Sequence, residues 1–256
     1  MWKPFVLLTP WVGLLSEQKN NMSKKEITIA SHDIRSFFKR WPNFYYFIAT
    51  VFGPLFFCGL SAKKFLLKYP KAGLTLNLGS GPRVLGSAVT NVDIYPYPEV
   101  SVIASLTNLP FGAGKVERII CDNVLEHVEN PVKAVEEMHR VLCSGGVAYI
   151  STPFLYAFHS SPDDFQRWST EGLRALFCDF EMVEIGTRAG MFSALDTHLC
   201  YIFATLFSFG SKTVQAFLVN IFMFVFWPIK LLDAVFNYWP RTSDAAALLY
   251  CVIRKK

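Results

Sequence analysis

Metal and redox chemistry find little to work with in this sequence. Its six cysteines (Cys58, Cys121, Cys143, Cys178, Cys200 and Cys251) stand singly, without a C-x-x-C pair. Five histidines are too scattered to complete a zinc site with them. No disulfide framework is called for. Several of these cysteines lie in apolar runs, where the thiol acts as a small hydrophobe, which points to a reducing, cytosol-facing compartment. Charge is sparse too. Charged residues make up 18% of the chain, and the net +5 includes no Lys/Arg run dense enough for a nucleic-acid groove, so no nucleic-acid partner is expected.

Apolar residues are abundant. They reach 52%, with 24 phenylalanines, which excludes disorder and is greasier than most soluble enzymes. The 256 residues suffice for one α/β domain with attachments. Three readings fit residues 1–15, MWKPFVLLTPWVGLL: a weak signal peptide without a cleavage site, an amphipathic anchor, or an upstream start with Met22 beginning the functional chain. Residues 44–60, FYYFIATVFGPLFFCGL, carry no charge but are interrupted by Gly53-Pro54. That pattern predicts an interfacial or re-entrant helical pair rather than a clean span. Lys63, Lys64, Lys68 and Lys71 then share one helical face, opposite Ala62, Phe65, Leu66 and Tyr69. Such a helix suits anionic headgroups; it also suits packing on a domain. Residues 1–72 are therefore expected to be membrane-associating helices.

From 73 to 190 the pattern changes to strand–helix alternation. Short apolar runs recur at 74–78, 90–94, 100–104, 116–122 and 146–152. Residues 131–142, PVKAVEEMHRVL, form an amphipathic helix with proline in its first turn, and Ser144-Gly145-Gly146 turns it into the next strand. This is the signature of an α/β fold with a mostly parallel sheet covered on both faces. Residues 191–244 are expected to form an apolar helical insertion. Within 198–236 only Lys212, Lys230 and Asp233 carry formal charge, and Phe226-Trp227-Pro228 suits a lipid interface. Residues 245–256, DAAALLYCVIRKK without its first Asp, are strand-like and complete the sheet as its last strand.

The chemistry begins where the first strand runs into Leu78-Gly79-Ser80-Gly81-Pro82. Two glycines at a strand end let backbone N–H groups approach a ligand closely. Asp93 ends the second strand, where a carboxylate accepts both hydroxyls of a ribose. Together they indicate an adenosine cofactor, without saying which. Further on stand Leu109-Pro110-Phe111, then Val116–Asp122, then Asn123-Val124-Leu125-Glu126-His127-Val128, then Arg140-Val141-Leu142-Cys143-Ser144-Gly145-Gly146. Over about residues 74–186 this series resembles the S-adenosylmethionine (SAM)-binding domain of the methyltransferase type 11 family.

The resemblance implies a Rossmann-like class I methyltransferase sheet with an antiparallel last strand and SAM across the strand ends. Gly79, Ser80 and Gly81 would flank the methionine part of the cofactor, and Asp93, with Ile94 beside it, would hold the ribose. Ser105–Leu109 would pass the adenine, and Asp122–Asn123 would lie beneath the sulfonium. Glu126 and His127 would begin the next helix, either as capping residues that shape the pocket floor or as direct substrate contacts. The sequence departs from the family at Asn77 and Ser105, where acidic residues are usual. Only Pro82–Asn91 separates the glycine turn from the second strand, which is short for a helical crossover, so the first helix must be vestigial and the pocket more open.

After the fifth strand, Thr152-Pro153-Phe154 leads to His159-Ser160-Ser161-Pro162-Asp163-Asp164-Phe165-Gln166-Arg167-Trp168-Ser169. This pattern resembles a subgroup associated with envelope glycan and lipid biosynthesis, and it implies that the loop receives the acceptor. His159, with a pKa near neutrality, is the candidate base for an attacking hydroxyl. Phe154, Asp164 and Arg167 are candidate substrate contacts, although Arg167 could equally pair with Asp164 as a brace. Trp168 is expected to pack. Methyl transfer from a sulfonium needs alignment and one base, and no metal.

The expected function is SAM-dependent O-methylation of a small-molecule or lipid-linked, envelope glycan-type acceptor. It would take place at the cytoplasmic side of a membrane, by a peripheral or monotopic protein. A non-catalytic membrane-associated SAM-binding or partner-binding module is the alternative, and the neutral Asn77 and Ser105 would fit it. An NAD-dependent oxidoreductase fits the glycine turn but not the Leu125-Glu126-His127 and Gly145-Gly146 contexts.

Overall fold

A computed structural model describes residues 51–158 and 163–256. Among the described residues, seven strands form a single sheet: β1 (Thr75–Leu78), β2 (Val89–Asp93), β3 (Val102–Ile103), β4 (Val116–Asp122), β5 (Leu142–Pro153), β6 (Phe180–Ala189) and β7 (Leu248–Lys255). Their order is β3-β2-β1-β4-β5-β7-β6. β1 to β5 pair in parallel, whereas β7 runs antiparallel to both β5 and β6. The order reverses between β1 and β4, and at that switch point an open α/β sheet leaves a crevice beyond its strand ends. This is the expected Rossmann-like methyltransferase sheet with its antiparallel last strand.

Period-two alternation assigns the two faces of the sheet. Ile119 and Cys121 of β4, Ala148 and Ile150 of β5, and Cys251 and Ile253 of β7 share one core. They are covered by helix α2 (Pro131–Val141) through Ala134, Met138 and Val141, and by α3 (Thr170–Leu176) through Leu173. Ile120, Val147, Tyr149, Tyr250 and Val252 point the other way and meet Ala62 and Phe65 of α1 (Ala62–Lys68). The apolar side of the lysine-bearing helix is thus buried on the sheet. Lys63 and Lys64 stay exposed, and Lys68 pairs with Glu184 at 2.5 Å. Buried Arg118 fastens α1 by donating to the terminal carbonyls of Leu66 (3.3 Å) and Tyr69 (3.2 Å) and to the Thr75 hydroxyl (2.9 Å). Carbonyls left unsatisfied at the helix end thereby gain a cation.

Residues 1–50 lie outside the described residues, and with them the expectations for the N-terminal stretch. The second half of the apolar segment 44–60 departs from the expected helical pair. Residues 53–60 run without helix beside β6, with an antiparallel bridge from Phe57 to Ala189 and a Cys58 N–H bond to the Arg188 carbonyl at 3.1 Å. Pro54 prevents helix continuation. Gly59 lies so close to β6 that a Cβ there would fall 2.1 Å from the Thr187 carbonyl oxygen.

Between β1 and β2 the chain forms turns and no helix, the vestigial crossover expected from its length. The Ser144-Gly145-Gly146 turn is taken into β5 as an irregularity. Val116 pairs with Leu142 but Arg118 with Val147, so the extra residues loop out around Gly145, whose φ is +73°. The insertion forms α4 (Met191–Phe207), α5 (Lys212–Phe226) and a shorter helix α6 (Asp233–Phe236). α4 and α5 pack through phenylalanines, with the Phe203 ring 5.4 Å from Phe226 and 5.6 Å from Phe222. Asp233 caps α4, accepting from the Ser193 N–H (2.9 Å), the Ser193 hydroxyl (2.6 Å) and the Phe192 N–H (3.0 Å).

Candidate cofactor and acceptor site

The crevice begins at the glycine turn that follows β1. Gly79 and Gly81 both take positive φ, +62° and +52°, which side-chain-bearing residues rarely adopt. The two do different work. A Cβ on Gly79 would fall 2.4 Å from Val124, so the turn after β1 is pressed against the turn after β4. A Cβ on Gly81 would meet nothing within 4 Å, so the turn opens onto free space. Buried Asp93, at the end of β2, faces this turn. One carboxylate oxygen accepts from the Gly81 N–H at 2.7 Å and the other from the Tyr95 N–H at 2.9 Å. Each oxygen keeps lone-pair capacity for a ligand hydroxyl. Ser80 is buried between them, its N–H bonded to the Val92 carbonyl at 3.2 Å, whereas Ile94 is exposed.

Asn77 and Asn91 explain how a helix-free crossover keeps its shape. They are register partners on β1 and β2, both buried, and bonded to each other at 3.0 Å. Asn91 also donates to the Arg83 carbonyl at 3.2 Å and the Glu99 carbonyl at 3.1 Å. The neutral side chain at Asn77 is therefore used in pinning the glycine loop, a role an acid could not fill as a donor. Pinned in this way, Arg83 reaches across the crevice to Asp122 at the end of β4, 2.7 Å away.

Asn123 follows in a left-handed conformation, φ +58°, with its N–H on the Ser151 carbonyl at 2.9 Å. A short 3-10 turn, Leu125–His127, comes next. Leu109 lies in the core, and its backbone is gripped from α2: Glu137 accepts from its N–H at 2.8 Å, and Arg140 donates to its carbonyl at 2.9 Å and to that of Phe111 at 2.8 Å. The Leu109-Pro110-Phe111 and Arg140-Val141-Leu142 elements are thus two halves of one clamp on the 105–111 loop. Arg140 hydrogen-bonds Glu137 and holds its carboxyl down at about 2. Ser105 closes a turn with the Thr107 hydroxyl (2.8 Å) and N–H (3.2 Å).

On the acceptor side, His159 lies outside the described residues. Arg167 and Asp164 form a two-armed ion pair, Nη2 to Oδ2 2.5 Å, and Arg167 also donates to the Gln166 carbonyl (2.8 Å) and the Tyr156 carbonyl (3.3 Å). That geometry braces the loop, the second of the two roles open from sequence. His127 Nδ1 bonds the Asp163 carbonyl, and the Phe165 N–H donates to the Glu126 carbonyl at 2.8 Å, so residues 163–165 are tied to the turn after β4. Phe154 is partly buried against the core with its N–H on the Ala247 carbonyl at 2.9 Å, and Trp168 packs in the core.

Sequence reasoning missed Arg83 and the burial of Glu126. Arg83 was visible as a cation directly after the glycine turn. Glu126 was visible as an acid but not as a buried one. It is 0% exposed, and neither carboxyl oxygen has a hydrogen-bond partner among the described residues. Burial pushes this carboxyl up to about 8; Asp164 and Asp122 add to the rise, while its own backbone and Arg167 oppose it.

Residues 79–150 match the family described as a methyltransferase domain. An uncharacterized methyltransferase of Mycobacterium sp. (strain KMS) is 33% identical over 99 residues, which are 32% of this chain and 39% of that protein. One from Mycolicibacterium gilvum (strain PYR-GCK) is 36% identical over 95 residues, 30% and 37% of the two chains. The chain therefore spans about two fifths of the length of the relatives it matches. A SAM-dependent methyltransferase from Thermotoga maritima overlays with a TM-score of 0.48 at 15% identity, over 86% of this chain and 98% of its own. The positive-φ glycines, the open space at Gly81 and the carboxylate of Asp93 fit an adenosine ligand. Residues 79–150 are thus similar to a methyltransferase domain, and the glycine turn with Asp93 offers the geometry an adenosine cofactor needs.

Proposed function

We propose that the protein transfers a methyl group from SAM to a hydroxyl of a lipid-linked or envelope glycan-type acceptor at a membrane surface. The observation that carries the cofactor half is the 2.7 Å bond between Asp93 and the Gly81 N–H, beside open space. SAM supplies an already activated methyl group, so the protein's work is alignment and proton removal. Asp93 and the glycine turn would hold the ribose and the methionine arm. The clamp from Glu137 and Arg140 would keep the 105–109 backbone along the adenine. Arg167, paired to Asp164, would hold the acceptor loop in shape, and His159 would take the hydroxyl proton.

The membrane half is supported by the insertion. Phe209 is 92% exposed, and Phe217, Phe224, Val225, Val235, Tyr238 and Trp239 are exposed with it, an apolar surface larger than isolated surface residues explain. Among the described residues no single helix is long and apolar enough to cross a membrane; Lys212–Phe226 and Ile229–Phe236 pass that test only as a pair bent by 48°. A helical pair lying in the interface fits this geometry.

Calorimetry in detergent with SAM and with NAD tests the cofactor. SAM is expected to bind and NAD is not, and Asp93→Ala is expected to weaken SAM binding about a hundredfold or more. Labelled methyl transfer into a lipid extract, lost in His159→Ala, tests the reaction. A wild-type protein that binds SAM but methylates nothing in any extract would favour the non-catalytic module.

A further inference from the structure

Glu126 stands in the turn after β4, beside the strand ends over which the proposed SAM would lie. β2, β1 and β4 are neighbours, so a ribose held by Asp93 at the end of β2 sends its 5′ arm over the glycine turn of β1 towards the end of β4. There Gly79 is pressed on Val124, and Glu126 stands two residues further along the same turn. On its other side the Phe165 N–H bonds the Glu126 carbonyl, which joins the turn to the acceptor loop.

Among the described residues, the cations near Glu126 are paired elsewhere or lie beyond hydrogen-bond reach; His159 lies outside those residues. Asp122 from β4 and Asp164 from the loop are both acidic, and the Cys121 thiol of β4 also lies within its field. Arg167 is committed to Asp164, Arg83 to Asp122. His127 Nε2 is 3.9 Å from Glu126 Oε1, beyond hydrogen-bond reach, while its Nδ1 bonds the Asp163 carbonyl. Among the described residues no side chain hydrogen-bonds the Glu126 carboxyl, and a buried carboxyl short of partners is costly unless something completes it.

Resting on the SAM reading above, we propose that Glu126 is the residue by which this site distinguishes the sulfonium of SAM from the neutral thioether of S-adenosylhomocysteine. The carboxyl releases one proton to solvent when the cationic cofactor binds and stands as its counter-charge. With the thioether in place the positive charge is gone, and the carboxyl is protonated again. Charge balances in both states, and product is held less tightly than cofactor. Burial and the neighbouring acids, which already favour the protonated form in the free protein, act in the same direction.

The test is titration calorimetry of the full chain with SAM and with S-adenosylhomocysteine, between pH 6 and 9, in phosphate and in Tris, whose ionisation enthalpies differ. The wild-type protein is expected to release about one proton on binding SAM at pH 7 and none on binding the thioether. Its preference for SAM should rise roughly tenfold per pH unit before levelling near pH 8. Glu126→Gln should bind both ligands, release no proton and show a flat preference, whereas His127→Asn should keep the release. Equal proton release with both ligands, or release that persists in Glu126→Gln, overturns the proposal. Should the glutamine variant not fold, the wild-type buffer series decides alone, because a flat preference there is equally fatal. If neither ligand binds, the SAM reading itself fails; if both bind without proton exchange, only the role of Glu126 does.

Discussion

Asp93 has two duties, and its substitutions separate them. It holds the glycine turn through the Gly81 N–H and closes its own turn through the Tyr95 N–H. Asp93→Ala removes both acceptors, and with them the carboxylate proposed to hold the ribose. Hydrogen bonds to a charged group contribute about 1.5–3 kcal/mol each, so SAM binding is expected to weaken by about a hundredfold or more by calorimetry. Asp93→Asn keeps one acceptor and should fall between. Glu126 has a signature in stability as well. Its carboxyl is raised in the folded protein, so the stability it contributes is fully present below the unfolded value near 4.5 and is lost as pH rises towards about 8. Melting temperature followed from pH 5 to pH 8 should therefore fall more steeply in wild type than in Glu126→Gln, by several degrees. Parallel curves would show that the carboxyl is not protonated in the fold.

At the scale of elements, side chains stand in for missing or weak backbone structure. The Asn77–Asn91 pair replaces a crossover helix in fixing the loop that carries Gly79, Gly81 and Arg83. Arg118 ends α1, Glu137 and Arg140 clamp the 105–111 loop, and Asp233 caps α4 from forty residues away in sequence. Asp233→Ala leaves two N–H groups at the start of a buried helix without an acceptor. It is expected to cost about 2 kcal/mol. Hydrogen exchange of residues 191–207 should report the loss locally, with β1–β4 unchanged.

For the molecule as a whole, the question is what the apolar insertion meets. If it lies in a lipid interface, replacing Phe209, Phe217 and Trp239 together by serine removes exposed rings without touching the Asp233 cap or the Phe203–Phe222–Phe226 cluster. Sedimentation with anionic vesicles should then drop several-fold while melting stays unchanged. Undiminished sedimentation would place the attachment elsewhere, with the basic exposed face of α1 or the first fifty residues as the remaining sources.

Much of this architecture was legible from residue order, because local rules govern it. Alternating apolar residues mark strands, the 3.6-residue stripe marks α2, and two glycines before Asp93 mark an adenosine-binding crevice wherever such strands are neighbours. Contacts across the sheet were not legible. Nothing in the order of residues places Asn91 opposite Asn77, brings Arg83 to Asp122, or lays 53–60 along β6 instead of in a helix. The burial of Glu126 was equally hidden, since an acid in sequence looks the same whether solvated or enclosed. Local propensity and periodicity act within a few residues, so the sequence alone determined most of the elements and the glycine turn between β1 and β2. Which charges are paired, and which carboxyl is enclosed among apolar and acidic neighbours, depends on groups that only tertiary folding brings within a few ångströms of one another.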